Sequence, residues 1–169
     1  MKRVASIDIG TNSTRLLVAE YTGEHLNRIE TGLITTRLGK GMAGGKLLLE
    51  TMQSTADAVG LFYQKALDLG AGAVTAAATS AVRDASNKAD FLELVKKRTG
   101  LTVRVLSGEE EAALSWRGVL SGLPVEPAAT LVIDIGGGST EFIWMRGARL
   151  NLVSVNAGAV RLTAAGADE

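Results

Sequence analysis

Two stretches of this chain are near copies, VASIDIGTNST at residues 4–14 and TLVIDIGGGST at 130–140. At a spacing of 126 residues, Ile7, Asp8, Ile9, Gly10, Ser13 and Thr14 recur as Ile133, Asp134, Ile135, Gly136, Ser139 and Thr140. So many coincidences in so short a window point to a duplicated fold. Each copy runs from apolar residues through an aspartate into a turn of small residues, then turns apolar again, which reads as two β-strands joined by a tight turn. A chain built this way carries an acidic residue just before each of two similar turns.

The elements between the copies follow an α/β order. Residues 3–9 and 14–21 are expected as strands around the turn GTNS, with a more polar third strand over 26–38. Leu48, Met52, Ala56, Val59, Phe62 and Leu69 have helical spacing over 47–69. A buried strand over 71–80, a helix over 88–98, a strand over 102–106 and a helix over 108–121 complete the series. Three strands followed by helix, strand, helix, strand and helix predict a mixed sheet with helices. SGLPVEPAAT at 121–130 contains both prolines of the chain and reads as a connection. The expected domains are therefore 1–125, complete, and 126–169, which starts the pattern again and ends after its strands and before any helix.

Composition narrows the function classes. Hydrophobic residues make up 46% of the chain, enough for a packed core, and 18 basic residues balance 18 acidic ones. That balance gives no global field for DNA or an anionic membrane, so any anion site is local. With no cysteine there are neither disulfides nor thiolate metal sites. The start MKRVASIDIG lacks a long apolar stretch, and no run approaches the ~20 apolar residues of a membrane span, so a cytoplasmic location is expected.

The turns suit phosphate. Glycines let main-chain N–H groups approach a ligand and adopt positive φ, forming an anion-binding nest. Gly136, Gly137 and Gly138 would do so in the second copy, with Thr11, Asn12, Ser13, Ser139 and Thr140 adding side-chain donors. Two such nests facing each other would grip adjacent phosphates. An aspartate beside phosphate repels it unless a divalent cation intervenes, so Asp8 and Asp134 suggest Mg²⁺ held partly through water. The alternative is a pair of ordinary hairpins with favourable turn residues. In SGEEEA at 107–112, Ser107 and Glu110 fit a capping box, and Glu109 favours the positive helix end from solvent. Glu111 instead shares a stripe with Ser115, Gly118 and Gly122, as in a cleft wall. Glu141 follows the second nest directly, and with Glu111 it could hold and deprotonate a water. Arg83, in ATSAVRDASN after the fourth strand, could clamp phosphate oxygens or simply pair with Asp84. His25 and Lys40 read as exposed loop residues.

In this order, DIGTNSTRL, ATSAVRDASN, SGEEEA, VIDIGGGSTE and GAVRLT resemble the exopolyphosphatase and guanosine pentaphosphate phosphohydrolase (Ppx/GppA) family. The resemblance implies ribonuclease-H-like domains of the actin-like ATPase (sugar kinase, actin and chaperone) superfamily, one complete and one begun. It implies Mg²⁺-dependent release of terminal phosphate from polyphosphate or from guanosine pentaphosphate, the nucleotide of the stringent response. It also makes Glu111 and Glu141 the catalytic carboxylates, Asp134 a metal- or phosphate-site residue, and Asn12, Arg83, Gly137, Gly138 and Ser139 phosphate contacts. Glu141 is further expected to share the metal with Asp134 and Asp8. The chain is expected to dimerise or to associate with the missing part of the second lobe. An actin-like sugar or acetate kinase, or a non-enzymatic ATP-binding module, is the alternative that the paired loops also allow.

Overall fold

The computed structural model describes residues 2–23 and 26–166, so His25 lies outside the described residues. Two-residue alternation builds the first sheet. β1 (Lys2–Ile9) buries Ala5, Ile7 and Ile9, and β2 (Thr14–Tyr21) buries Thr14, Leu16 and Val18. That is the period of a strand covered on one face. β2 folds back antiparallel on β1, and β3 (Leu26–Ile34) antiparallel on β2. β4 (Ala73–Ala78) runs parallel to β1, and β5 (Val103–Val105) parallel to β4, giving the order β3-β2-β1-β4-β5. Met52, Ala56, Val59 and Phe62 of α1 (Leu49–Asp68), with Phe91 and Val95 of α3 (Lys88–Thr99), close the core over the covered face. The expected mixed sheet with helices is present.

Two elements of this unit depart from expectation. β3 stops at Ile34 instead of reaching residue 38. Arg37 takes a left-handed conformation (φ 51°), and its N–H bonds the Asn12 carbonyl at 2.9 Å, so the chain leaves the sheet to wrap the first turn. β4 stops at Ala78, and Thr79 and Ser80 open a short helix, α2 (Ser80–Asp84), in place of two more strand residues. The Thr79 carbonyl accepts the Arg83 N–H at 2.9 Å. Five residues are too few to show a period.

The second unit comprises α4 (Gly108–Gly122), the antiparallel sheet β6 (Leu131–Ile135), β7 (Thr140–Arg146) and β8 (Arg149–Val155), and α5 (Ala159–Gly166). Packing divides the chain between Val105 and Leu106, not at 125/126, because α4 turns its apolar face to the strands that follow it. Ala112 and Trp116 form one buried cluster with Val132 and Ile143. A helix also follows the strands, contrary to expectation. α5 starts where the N–H groups of Ala159 and Val160 bond the Gly136 and Gly137 carbonyls at 3.0 and 2.8 Å, so the second turn itself anchors its first residues.

Candidate active site

The duplication extends to individual bonds. Asp8 pairs with Arg15 and Ile9 with Thr14 across β1 and β2, and Asp134 pairs with Glu141 and Ile135 with Thr140 across β6 and β7. The Gly10 N–H donates to the Ser13 carbonyl at 3.0 Å, and the Gly136 N–H to the Ser139 carbonyl at 2.9 Å. Neither Gly10 nor Gly136 adopts positive φ. Close approach is what restricts them: a Cβ there would lie 3.0 and 3.1 Å from the same two carbonyl oxygens. Each turn is also backed by a glycine that sequence reasoning missed. The Gly39 N–H bonds the Thr11 carbonyl at 2.9 Å, while Gly158 packs so tightly that a Cβ would lie 2.5 Å from Gly137 C and Gly138 N. The available signal was position, since each stands a few residues after the third strand of its copy.

In the first unit the turn is tied to α2. Thr11 is buried, and its hydroxyl is 2.7 Å from that of Ser80. Arg83 follows Ser80 by three residues, hence on the same side of α2. Its Nε is 3.8 Å from Asp84 Oδ1, so the alternative ion pair is present as a long contact. Asn12 is exposed and Ser13 half-buried. Asp8 and Arg15 line a groove on the sheet face that carries Ser6 and Leu17, and Lys40 is exposed.

The second unit assembles a row. Asp134, Glu141 and Ser154 stand opposite one another on β6, β7 and β8 and so share one sheet face. α4 lies over that face. A Cβ on Gly108 would fall 2.5 Å from Ser154 Cβ and Oγ, and the Ser115 hydroxyl bonds Asp134 Oδ2. From Gly108 to Ser115 the helix rises ~10 Å. From β8 to β6 the sheet spans about the same distance, at ~4.8 Å per strand. Glu111 lies between Gly108 and Ser115 on the same stripe of α4. The useful stripe is thus Gly108, Glu111 and Ser115, because Gly118 and Gly122 open onto solvent. Ser107 and Glu110 form the expected capping box in both directions, at 2.9 and 3.1 Å.

Burial isolates two groups on β7 and the turn before it. Glu141 is 1% exposed, its Oε1 accepts the Ser154 hydroxyl at 2.7 Å, and its Oε2 is buried without a hydrogen-bond partner. Ser139 Oγ, two residues earlier, is buried and unpartnered as well. The Thr140 hydroxyl, expected at the ligand, instead bonds the Ala157 carbonyl. Among the described residues no three His, Cys, Asp or Glu side chains cluster tightly enough to hold a metal by themselves, and no helix is long and apolar enough to cross a membrane.

Residues 17–167 match the Ppx/GppA phosphatase family. The chain belongs to that family. A bifunctional 3-dehydroquinate synthase/phosphatase of Fusobacterium nucleatum is 36% identical over 94% of this chain and 26% of its own length. Among Ppx/GppA-type structures, an exopolyphosphatase from Cytophaga hutchinsonii superposes with a TM-score of 0.92 at 32% identity over 98% of this chain and 54% of that one. The Aquifex aeolicus Ppx/GppA enzyme gives 0.83 at 34% identity over 97% and 55%. The chain thus spans about a quarter of that curated relative and half of these solved ones. The ethanolamine utilization protein EutJ of Carboxydothermus hydrogenoformans shares only the fold, at 15% identity and a TM-score of 0.53. That fold is the actin-like ATPase fold.

Proposed function

We propose that this Ppx/GppA-family phosphohydrolase releases terminal orthophosphate from inorganic polyphosphate or guanosine pentaphosphate by attack of water. The observation that carries the reading is the pair of buried, unpartnered groups, Ser139 Oγ and Glu141 Oε2, two residues apart at the glycine turn. Leaving such a group unsatisfied costs about 1–3 kcal/mol each, so two together are what a polar ligand would repair. Ser139 donates to a phosphate oxygen alongside the main-chain N–H groups of the turn. Glu141 Oε2 and Glu111 orient a water and take its proton. Within the first unit, Asn12, Ser13 and Arg83 offer phosphate contacts of their own.

The two aspartates differ in what faces them. Asp8 has Arg15 opposite in register, whereas Asp134 has Glu141 opposite, and like charges directly across strands are destabilising. Asp134 and Glu141 are therefore the residues that would hold Mg²⁺. This fits a cation that keeps several waters and takes one or two carboxylates plus substrate oxygens, without a cage of three or more protein ligands. When bound, the ion supplies charge neutralisation and polarises the phosphoryl group. Phosphate release from polyphosphate should require Mg²⁺ and stop in chelator. Asp134→Asn should raise the Mg²⁺ concentration needed, and Glu141→Gln should slow turnover by roughly 10²-fold or more, leaving a measurable residual rate. Undiminished release in chelator would sink the metal-assisted reading, and transfer to a sugar or acetate in place of water would make the protein a kinase. A cytoplasmic location is part of the same proposal.

A further inference from the structure

We infer that Ser154 is the positioning residue for Glu141, held in place by Gly108 at the start of α4. The inference rests on Glu141 acting at the reacting phosphate. Nothing near Ser154 in the chain marks it: it is a serine in an apolar strand, LNLVSV. Register brings it to Glu141, directly opposite on the neighbouring strand, with its hydroxyl 2.7 Å from Oε1. Glu141 sits on the middle strand of the sheet under α4 and is 1% exposed, so its carboxylate reaches almost no solvent. A carboxylate rotates about its last torsion with little preference. Bonding one oxygen removes that freedom and leaves the other, Oε2, aimed and unpartnered. A group that must meet a water within a few tenths of an ångström needs such support.

Gly108 makes the arrangement possible. Ser154 Cβ and Oγ occupy the space where a side chain at 108 would begin, 2.5 Å from an ideal Cβ. No other residue fits there without moving Ser154 or the helix. The glycine of SGEEEA thus lets the first turn of α4 close over the serine, so that the hydroxyl's useful direction is toward Glu141. The serine is thereby clamped between helix and strand, and one short contact connects the capping segment to the catalytic carboxylate.

Steady-state kinetics of polyphosphate hydrolysis test this in five variants. Ser154→Ala should lower kcat about tenfold or more, the scale on which partners that orient functional ligands act, while KM stays within about twofold. Ser154→Cys fills the same space with a weak donor and should behave like alanine. If it behaved like wild type, packing and not the hydrogen bond would be at work, and the inference would fall. Adding Ser154→Ala to Glu141→Gln should change kcat by less than about twofold, because a residue acting through another has no effect once that other is gone. Full additivity would overturn the inference. Gly108→Ala should reproduce the kcat loss of Ser154→Ala. Circular dichroism of each variant separates this from unfolding. A chain in which Glu141→Gln keeps wild-type turnover would refute the function proposed above, whereas loss in Glu141→Gln with none in Ser154→Ala would refute only this inference.

Discussion

Three adjacent glutamates divide their work by the partner each can reach. Glu110 is spent on the helix end, bonding the Ser107 N–H at 2.9 Å, while Glu111 shares the helix stripe of Gly108 and Ser115, which meet Ser154 and Asp134. Glu111→Gln should therefore slow turnover by roughly 10²-fold, the scale of losing a general base. Glu110→Gln should keep activity, since glutamine also serves in the box, and Glu110→Ala should cost about 1 kcal/mol of stability. Equal losses of turnover in Glu111→Gln and Glu110→Gln would contradict the division. This distinction was legible in the sequence because capping and helical stripes are local, three and four residues apart. The bond from Ser154 to Glu141 was not, since it spans 13 residues and depends on the register of two strands. Nor could spacing foretell that the Thr11 hydroxyl meets Ser80 or that the Thr140 hydroxyl donates to the Ala157 carbonyl.

At the scale of elements, both turns are held from behind by the segment that leaves the third strand of their copy. Gly158 is the less forgiving of the two backing glycines: its Cβ position abuts main-chain atoms of Gly137 and Gly138, which cannot swing aside as the Thr11 side chain facing Gly39 can. Gly158→Ala should push the glycine turn out of shape and cost about 1–3 kcal/mol, the range for overpacking a filled site. Phosphate-site binding should weaken with it, measurable as a raised KM for polyphosphate alongside a lowered melting temperature. An unchanged melting temperature and KM would show that the turn tolerates displacement. The β1–β2 and β6–β7 hairpins were legible from the repeat, and α1, α3 and α4 from periodicity. α2 and α5 were not: one has five residues, and the other starts on carbonyls of a turn that precedes it by two whole strands, a cue that no local pattern carries.

Across the whole molecule, the copies differ in what covers them. Ala5, Ile7 and Ile9 of β1 are buried beneath α1, but their counterparts Leu131, Ile133 and Ile135 are 56, 50 and 70% exposed. Phe142, Trp144, Val153 and Val155 lie on that same face, by register with Ile133, Leu131 and Thr140. The occupant that fits is an amphipathic helix patterned like α1, whose Met52, Ala56, Val59 and Phe62 cover the matching face of the first copy. The relatives, about twice as long, have chain enough to supply one. Burial at ~25 cal/mol per Å² over a face of this size favours covering it by whatever apolar surface is at hand, and for the isolated chain that is a second copy. Sedimentation should therefore show association that grows with concentration, and Ile133→Glu with Ile135→Lys should abolish it while leaving Glu141 and its row, on the opposite face, intact. Adding an amphipathic peptide with α1's apolar spacing should compete with self-association. A monodisperse monomer at tens of micromolar that binds no apolar dye would mean that these strands need no cover, and would undo the correspondence between the two faces on which this prediction stands.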